Sequence, residues 1–173
     1  MTPSDLVARE GQEFRYRDGL GQDWVESWHP PELPAPYGRP NGSAGICFTP
    51  EGEVVLVTWP GAGWEFPGGR PEGDEDWRAT LDREVLEEAC AVIQHATLLG
   101  FMRGEWVSGR VRGTALVRSL WCADVRLEPW EPLHETTDRL IVAPDEALGK
   151  VGLVSKPIYR RWFRDALAVK GLA

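Results

Sequence analysis

Cysteine is scarce in this chain, at 3 residues in 173. Cys47, Cys90 and Cys122 are odd in number and far apart, which excludes both a disulfide framework and a zinc site of the CxxC kind. Reduced, mostly buried thiols of a cytosolic protein are expected instead. Long hydrophobic runs are missing too. No segment has the apolar length to cross a bilayer, and the N-terminus lacks a signal-peptide core, so a cytoplasmic protein without a membrane partner is expected. Positive charge is in deficit, with 19 Lys and Arg against 27 Asp and Glu, a net charge of −8. That sign argues against a nucleic-acid polymer or an anionic membrane as the main partner. It would repel a phosphate substrate as well, unless bound divalent cations reversed the sign locally. A chain of this length suits one domain with a sizeable core, and no internal repeat is visible.

The pattern of elements is mixed. Glu13 to Arg17 alternates, Asp18 to Gly21 turns and Trp24 to Trp28 follows, which reads as a hairpin. Residues 29–43 are rich in proline and read as an irregular connector. Gly45 to Thr49 and Val54 to Thr58 flank Pro50-Glu51-Gly52 as strand, turn and strand. A helix is predicted from Asp76, as N-cap, to about Ala89, with Leu81, Val85 and Ala89 on one apolar stripe. Strands are predicted over Leu98 to Met102, Thr114 to Val125 and Leu140 to Val142, with a loop from Leu127 to His134. Pro157 opens a final helix through Val169, with Ile158, Trp162, Ala166 and Val169 on one side. Strands and helices in this order predict an α/β fold with helices on both sides of a mixed β-sheet.

The chemistry is concentrated between Gly69 and Ala91. Gly69 is followed after five residues by Glu75, and after seven more by Arg83-Glu84-Val85-Leu86-Glu87-Glu88. Glu84, Glu87 and Glu88 stand at i, i+3 and i+4, so all three carboxylates share one face of the helix. Acids packed this closely repel one another unless a cation lies between them, and oxygen clusters of this kind suit Mg²⁺ or Mn²⁺. A solvated acidic helix laced by i, i+4 ion pairs is the plain alternative.

This spacing, with its lead-in Trp64-Glu65-Phe66-Pro67-Gly68-Gly69, resembles the Nudix box, G-x5-E-x7-R-E-U-x-E-E-x-G-U. One position departs: Cys90 stands where the family has glycine. A left-handed helix exit there would cost a non-glycine residue about 1 kcal/mol. The resemblance covers roughly residues 43–170 in element order and is specific over 64–91. It implies an α/β/α sandwich, with residues 41–173 as the Nudix domain and 1–40 as an N-terminal extension and connector.

The resemblance also implies hydrolysis of a diphosphate linkage in a nucleoside diphosphate derivative or similar small phosphate anhydride, with water attacking phosphorus. Metal binding is carried over to Glu84, Glu87, Glu88 and the carbonyl of Gly69, with Mg²⁺ or Mn²⁺ as cofactor. Arg83 and Glu75 are expected to brace the acids. The general base is either Glu84 itself or a later loop acid, for which Glu135 and Glu131 are candidates. Outside the box, Arg118, which shares a strand face with Leu116 and Leu120, is a candidate for substrate binding or for an ion pair inside the fold; Trp64 is a further substrate-binding candidate, and Arg70 and Arg103 are weaker ones. Two other readings use the same fold: a catalytically silent nucleotide-binding module, and an isomerase, for which Cys47 is the cysteine placed near the box. The N-terminal hairpin is not stable alone and must pack on its own domain or on a second copy in a homodimer.

Overall fold

Strands form in this chain wherever an alternating or β-branched run finds an apolar face to cover. The computed structural model describes residues 7–109, 112–132, 134–153 and 155–173. The start of the chain through residue 6, and Leu133 of the expected loop, lie outside the described residues. The strands are β1 (Glu13–Arg17), β2 (Asp23–His29), β3 (Arg39–Phe48), β4 (Val54–Thr58), β5 (Gly68–Gly69), β6 (Ala91–Trp106), β7 (Ala115–Leu127) and β8 (Asp138–Val142). The helices are α1 (Trp77–Ala89), α2 (Pro144–Lys150) and α3 (Pro157–Val169).

The sheet runs in the order β1-β2-β6-β7-β3-β4-β8, and β5 pairs with β3 off that path. β3 and β7 are parallel, whereas β2–β6, β6–β7, β3–β4 and β4–β8 are antiparallel. The sheet is therefore mixed, and both its faces are covered. Leu81, Val85 and Ala89 of α1 pack on Cys47, Val55, Val57, Ala123 and Val125. Ile158, Trp162, Phe163 and Ala166 of α3 pack with Ile46, Phe48, Leu56 and Leu120 on the opposite face. Successive residues of β3 serve opposite cores, which is why the strand reads as a continuous apolar run without alternation.

One alternative left open by the sequence is decided, and three features differ from expectation. The hairpin β1–β2 finds its partner inside its own chain, since β2 pairs with β6 from Trp24↔Trp106 to His29↔Phe101. A second copy is therefore not needed to bury it. β3 begins at Arg39, inside the expected connector, because parallel pairing with Leu116 to Arg118 extends it; the register shifts between Pro40 and Gly42, which accommodates the proline. β6 spans 16 residues, well beyond Leu98–Met102, because β7 supplies a partner even for polar His95, with Gln94 left unpaired at a register shift between Ile93 and His95. Helix α2 was not expected from hydrophobic period, although Pro144 at its start, Asp145 and Glu146 in its first turn and Lys150 in its last are the signals that mark it.

Candidate active site

Glycine at 68 and 69 lets two strands meet closely at the mouth of the site. β5 pairs Gly68 with Ala44 and Gly69 with Ser43. Gly68 has φ 154°, and a Cβ there would stand 2.4 Å from the Ser43 carbonyl oxygen. A Cβ on Gly69 would stand 2.2 Å from a carboxylate oxygen of Glu84, so this acid lies against a bare backbone.

The helix behind it is held at both ends. Asp76 caps it, accepting a 2.8 Å hydrogen bond from the Ala79 N–H. Ser43 Oγ donates to the Trp77 carbonyl at 2.6 Å, Ser119 Oγ donates to Ser43 Oγ at 2.7 Å, and Trp121 Nε1 donates to Ser119 Oγ at 2.8 Å. This chain ties the first turn of α1 to β3 and β7. At the other end Cys90 adopts the left-handed conformation, φ 45° and ψ 54°, and its N–H donates to the Leu86 carbonyl. Arg139 of β8 donates to the carbonyls of Ala89 (2.8 Å) and Cys90 (3.0 Å), which otherwise lack intrahelical partners. Nothing local in the sequence marks Arg139 for this role.

The strain at Cys90 sets an expectation. Cys90→Gly relieves the left-handed geometry but gives up a buried side chain, so its stability should fall within about 1 kcal/mol of the parent. Cys90→Val should lose on the order of 2 kcal/mol, because a β-branched residue tolerates positive φ least. Thermal melts of the two variants check the sign, and hydrolytic rates of Cys90→Gly within a few-fold of the parent would keep this thiol out of the chemistry.

The acids converge as the helical spacing requires. Arg83 donates from Nε and Nη2 to the two oxygens of Glu75, at 2.8 and 3.0 Å, and from Nη1 to Glu87 at 3.0 Å. Nη1 also lies 3.1 Å from Glu84, and Nη2 donates to the Arg70 carbonyl at 2.7 Å. The guanidinium beside it holds the Glu75 carboxyl down at about 2. Glu88 lies on the other side of the cluster and accepts from the Gly68 N–H at 2.8 Å. Burial pushes its carboxyl up to about 7; the Gly68 hydrogen bond opposes this, and Glu84, Glu65 and Glu135 add to it. Glu84 is also raised by burial, against the pull of Arg83.

A cavity of about 160 Å³ opens onto this face, lined by Glu84, Glu87, Glu88 and Arg83 from the helix side. Glu72 lies at one rim, and the loop before β8 brings His134, Glu135 and Thr136 to the other. Of the two loop acids, Glu135 lines the cavity and Glu131 does not. His134 Nε2 is 3.7 Å from Glu87, and the buried Thr136 hydroxyl has no hydrogen-bond partner. Glu72, His134 and Thr136 carried no sequence signal of their own.

The remaining candidates lie elsewhere. Trp64 is half-buried, packs against the α3-side core and is not among the residues that line the acidic cavity. The Arg70 side chain is exposed; its carbonyl is what meets the cluster. Arg103 is taken up by the Tyr37 carbonyl and Glu105. Arg118 is half-buried and borders a second cavity on the opposite sheet face. Cys47 is fully buried and burial pushes its thiol far up, so it is no nucleophile and the isomerase reading falls.

Among the described residues no three acidic side chains are closed around one point. Glu84 and Glu87 are turned to Arg83, and Glu88 to a backbone N–H. The donor set is nonetheless all oxygen and strongly acidic, with Glu84 cradled against the bare Gly69 backbone, and it fits a hard divalent cation.

A mixed sheet between helices, with a diglycine strand opposite a helix of three aligned acids, defines an α/β/α sandwich of the Nudix type. The NUDIX domain profile matches residues 38–162, and the chain belongs to the Nudix family of hydrolases. Its fold is similar to that of the Bacillus subtilis pyrophosphohydrolase BsRppH, at 20% identity and a TM-score of 0.62 over 91% of this chain and 98% of that one. It is also similar to a NUDIX hydrolase from Nitrosomonas europaea (22% identity, TM-score 0.57, 78% of this chain and 91% of that one). A mutator MutT protein from Bacillus halodurans matches at 18% identity with a TM-score of 0.52, over 71% of this chain and 78% of that one. No curated protein sequence matches the chain.

Proposed function

We propose that this chain hydrolyses a diphosphate linkage in a nucleoside diphosphate derivative or a similar small phosphate anhydride, with Mg²⁺ or Mn²⁺ as cofactor. The observation that carries the reading is the convergence of Glu84, Glu87, Glu88 and Glu135 on one cavity beside the Gly69 backbone. Glu84, Glu87, Glu88 and the Gly69 carbonyl would hold the cation. When bound, it supplies neutralisation of the phosphate oxygens and a more acidic water. Arg83, fixed by both oxygens of Glu75, holds Glu84 and Glu87 in place and screens their mutual repulsion. Glu135, which lines the cavity where Glu131 does not, would take the proton of the attacking water. The pyrophosphohydrolase activity named for the Bacillus subtilis relative agrees with this reaction class.

The test is a screen of nucleoside triphosphates, nucleotide sugars, dinucleoside polyphosphates, ADP-ribose and NADH with Mg²⁺ or Mn²⁺, in isotope-labelled water. Cleavage with label entering a phosphate product is the expected result. Tight nucleotide binding with no cleavage across the panel would instead favour a silent binding module, a reading that the intact set of acids weighs against.

A further inference from the structure

We propose that the cavity beneath the N-terminal hairpin binds the substrate's heterocyclic base, and that Glu26 selects a ring whose edge presents two adjacent N–H donors, as guanine does. The proposal rests on the hydrolase reading only for the phosphate end of the ligand.

The cavity is about 240 Å³ and lies on the α3 face of the sheet. That is below the roughly 300–1,000 Å³ of clefts that take whole drug-sized ligands, so it suits one ring system and not a complete nucleotide. Its floor is bare by sequence. Gly104 stands directly opposite Glu26 in the β2–β6 register and leaves the sheet without a side chain there. Met102 and Leu116 continue the floor as apolar surface. The walls are flat: Tyr16 and Trp24, cross-strand partners on β1 and β2, have rings parallel to within 8°. Tyr159 closes the side nearest α3, and Lys156 lies over the rings of both Tyr16 and Tyr159. Flat aromatic walls over an apolar floor fit a planar ring.

Glu26 supplies the selectivity. It is 9% exposed, and it is the one carboxylate among the residues that line this cavity. An ionised carboxylate only accepts, and its two oxygens lie side by side. Among the common bases, guanine alone offers two neighbouring donors, the ring N–H and the exocyclic amine, on one edge; adenine offers one amine beside acceptors. Burial raises the Glu26 carboxyl, with Lys156 and the Tyr16 hydroxyl opposing, so a ligand with two donors would favour its ionised form.

The cavity also has a route to the acids. A Cβ built on Gly42 would stand 2.3 Å from the Gly69 carbonyl oxygen and 3.4 Å from Arg118 Nε. Arg118, which lines the base cavity, therefore sits next to the backbone that fronts the acidic cluster. A ring held by Glu26 would direct its phosphates past Arg118 toward Glu84. Tyr16, Trp24 and Glu26 all precede residue 38, where the family match begins, so the selecting wall lies outside the matched domain.

Tryptophan quenching and calorimetry with GMP, IMP and AMP test the proposal without turnover. GMP should bind about tenfold or more tighter than AMP, with IMP, which lacks the amine, in between. Glu26→Gln, isosteric but with one acceptor lost, should bring the GMP to AMP ratio close to one. Gly104→Ala adds a methyl whose nearest neighbours are the Trp24 ring at 3.5 Å and the Glu26 stem at 3.9 Å, ordinary contact distances, so it fits the fold while raising the floor. It should weaken every base. A parent ratio near one, or a ratio unchanged in Glu26→Gln, overturns the proposal. If circular dichroism shows Glu26→Gln unfolded, GMP affinity unchanged in Gly104→Ala overturns it instead. Selective GMP binding without hydrolysis would support this proposal while sinking the hydrolase reading; hydrolysis blind to the base would do the reverse.

Discussion

Turnover of a matched diphosphate substrate should fall to background after exhaustive EDTA treatment and return on addition of Mg²⁺ or Mn²⁺. The cavity is lined by Glu72, Glu84, Glu87, Glu88 and Glu135, and Arg83 is the one Arg or Lys among its lining residues. That arginine is already engaged by Glu75, Glu84 and Glu87. Two like charges about 4 Å apart repel by about 4 kcal/mol at the effective dielectric near a protein surface. Several such terms would act on an incoming polyphosphate at once, so the site is expected to turn such a substrate away until cations are present. Phosphate or mononucleotide release, followed with and without chelator, reads the effect. A rate that survives chelation would sink the metal mechanism.

Glu87→Gln and Glu88→Gln should each lower kcat by about a hundredfold or more at saturating metal while the fold persists. Glutamine keeps the volume and removes the charge that would hold the cation. Near-normal rates in both would contradict the assignment. The Glu88 substitution carries a second, independent signature in the metal-free protein. The Glu88 carboxyl titrates at about 7 in the fold, against 4.5 as its ordinary value. Below 4.5 it is protonated in both states and costs the fold nothing. Between those values the unfolded chain releases the proton and the fold does not, so stability drops as pH rises through the window and stays low above it. The loss is on the order of 3 kcal/mol, less whatever water penetration relieves. Metal-free parent protein should therefore melt higher near pH 5 than near pH 8, and Glu88→Gln should flatten that slope. Glu75 acts with the opposite sign at lower pH: its carboxyl is held at about 2, so its contribution is present above 4.5 and is lost as pH falls toward 2. Melts in EDTA at both pH values compare the two proteins, and equal slopes would remove Glu88 as the titrating group.

The local signals were legible because their geometry is local. Three acids at i, i+3 and i+4 must share a helix face wherever that helix goes. Asp76 as cap and Pro157 as first helical residue each act within one turn of their own position, and both α1 and α3 begin where they indicated. The helix end at Ala89 was likewise legible, whereas the left-handed exit at Cys90, where the family has glycine, came from the structure. The mixed α/β character followed in turn from the order of strand and helix patterns.

What the sequence left open depends on residues brought together across the fold. Glu135 and Glu131 are both loop acids near one another in the chain, and only the path of the loop before β8 puts one of them opposite the helix. Arg139 caps α1 from about fifty residues away, a contact made by sheet packing and invisible to any local pattern. The same holds for His95, a polar residue drawn into β6 because it pairs with Asp124 of β7. The hairpin reads as an appendage in sequence; its pairing with β6 makes it a wall of the sheet and places Glu26 over Gly104. Sequence by itself determined the box, its acidic face and the class of fold, since these depend on spacing of a few residues. Tertiary structure decided which distant groups complete the site, because burial and strand pairing choose among chemically equal candidates by position alone.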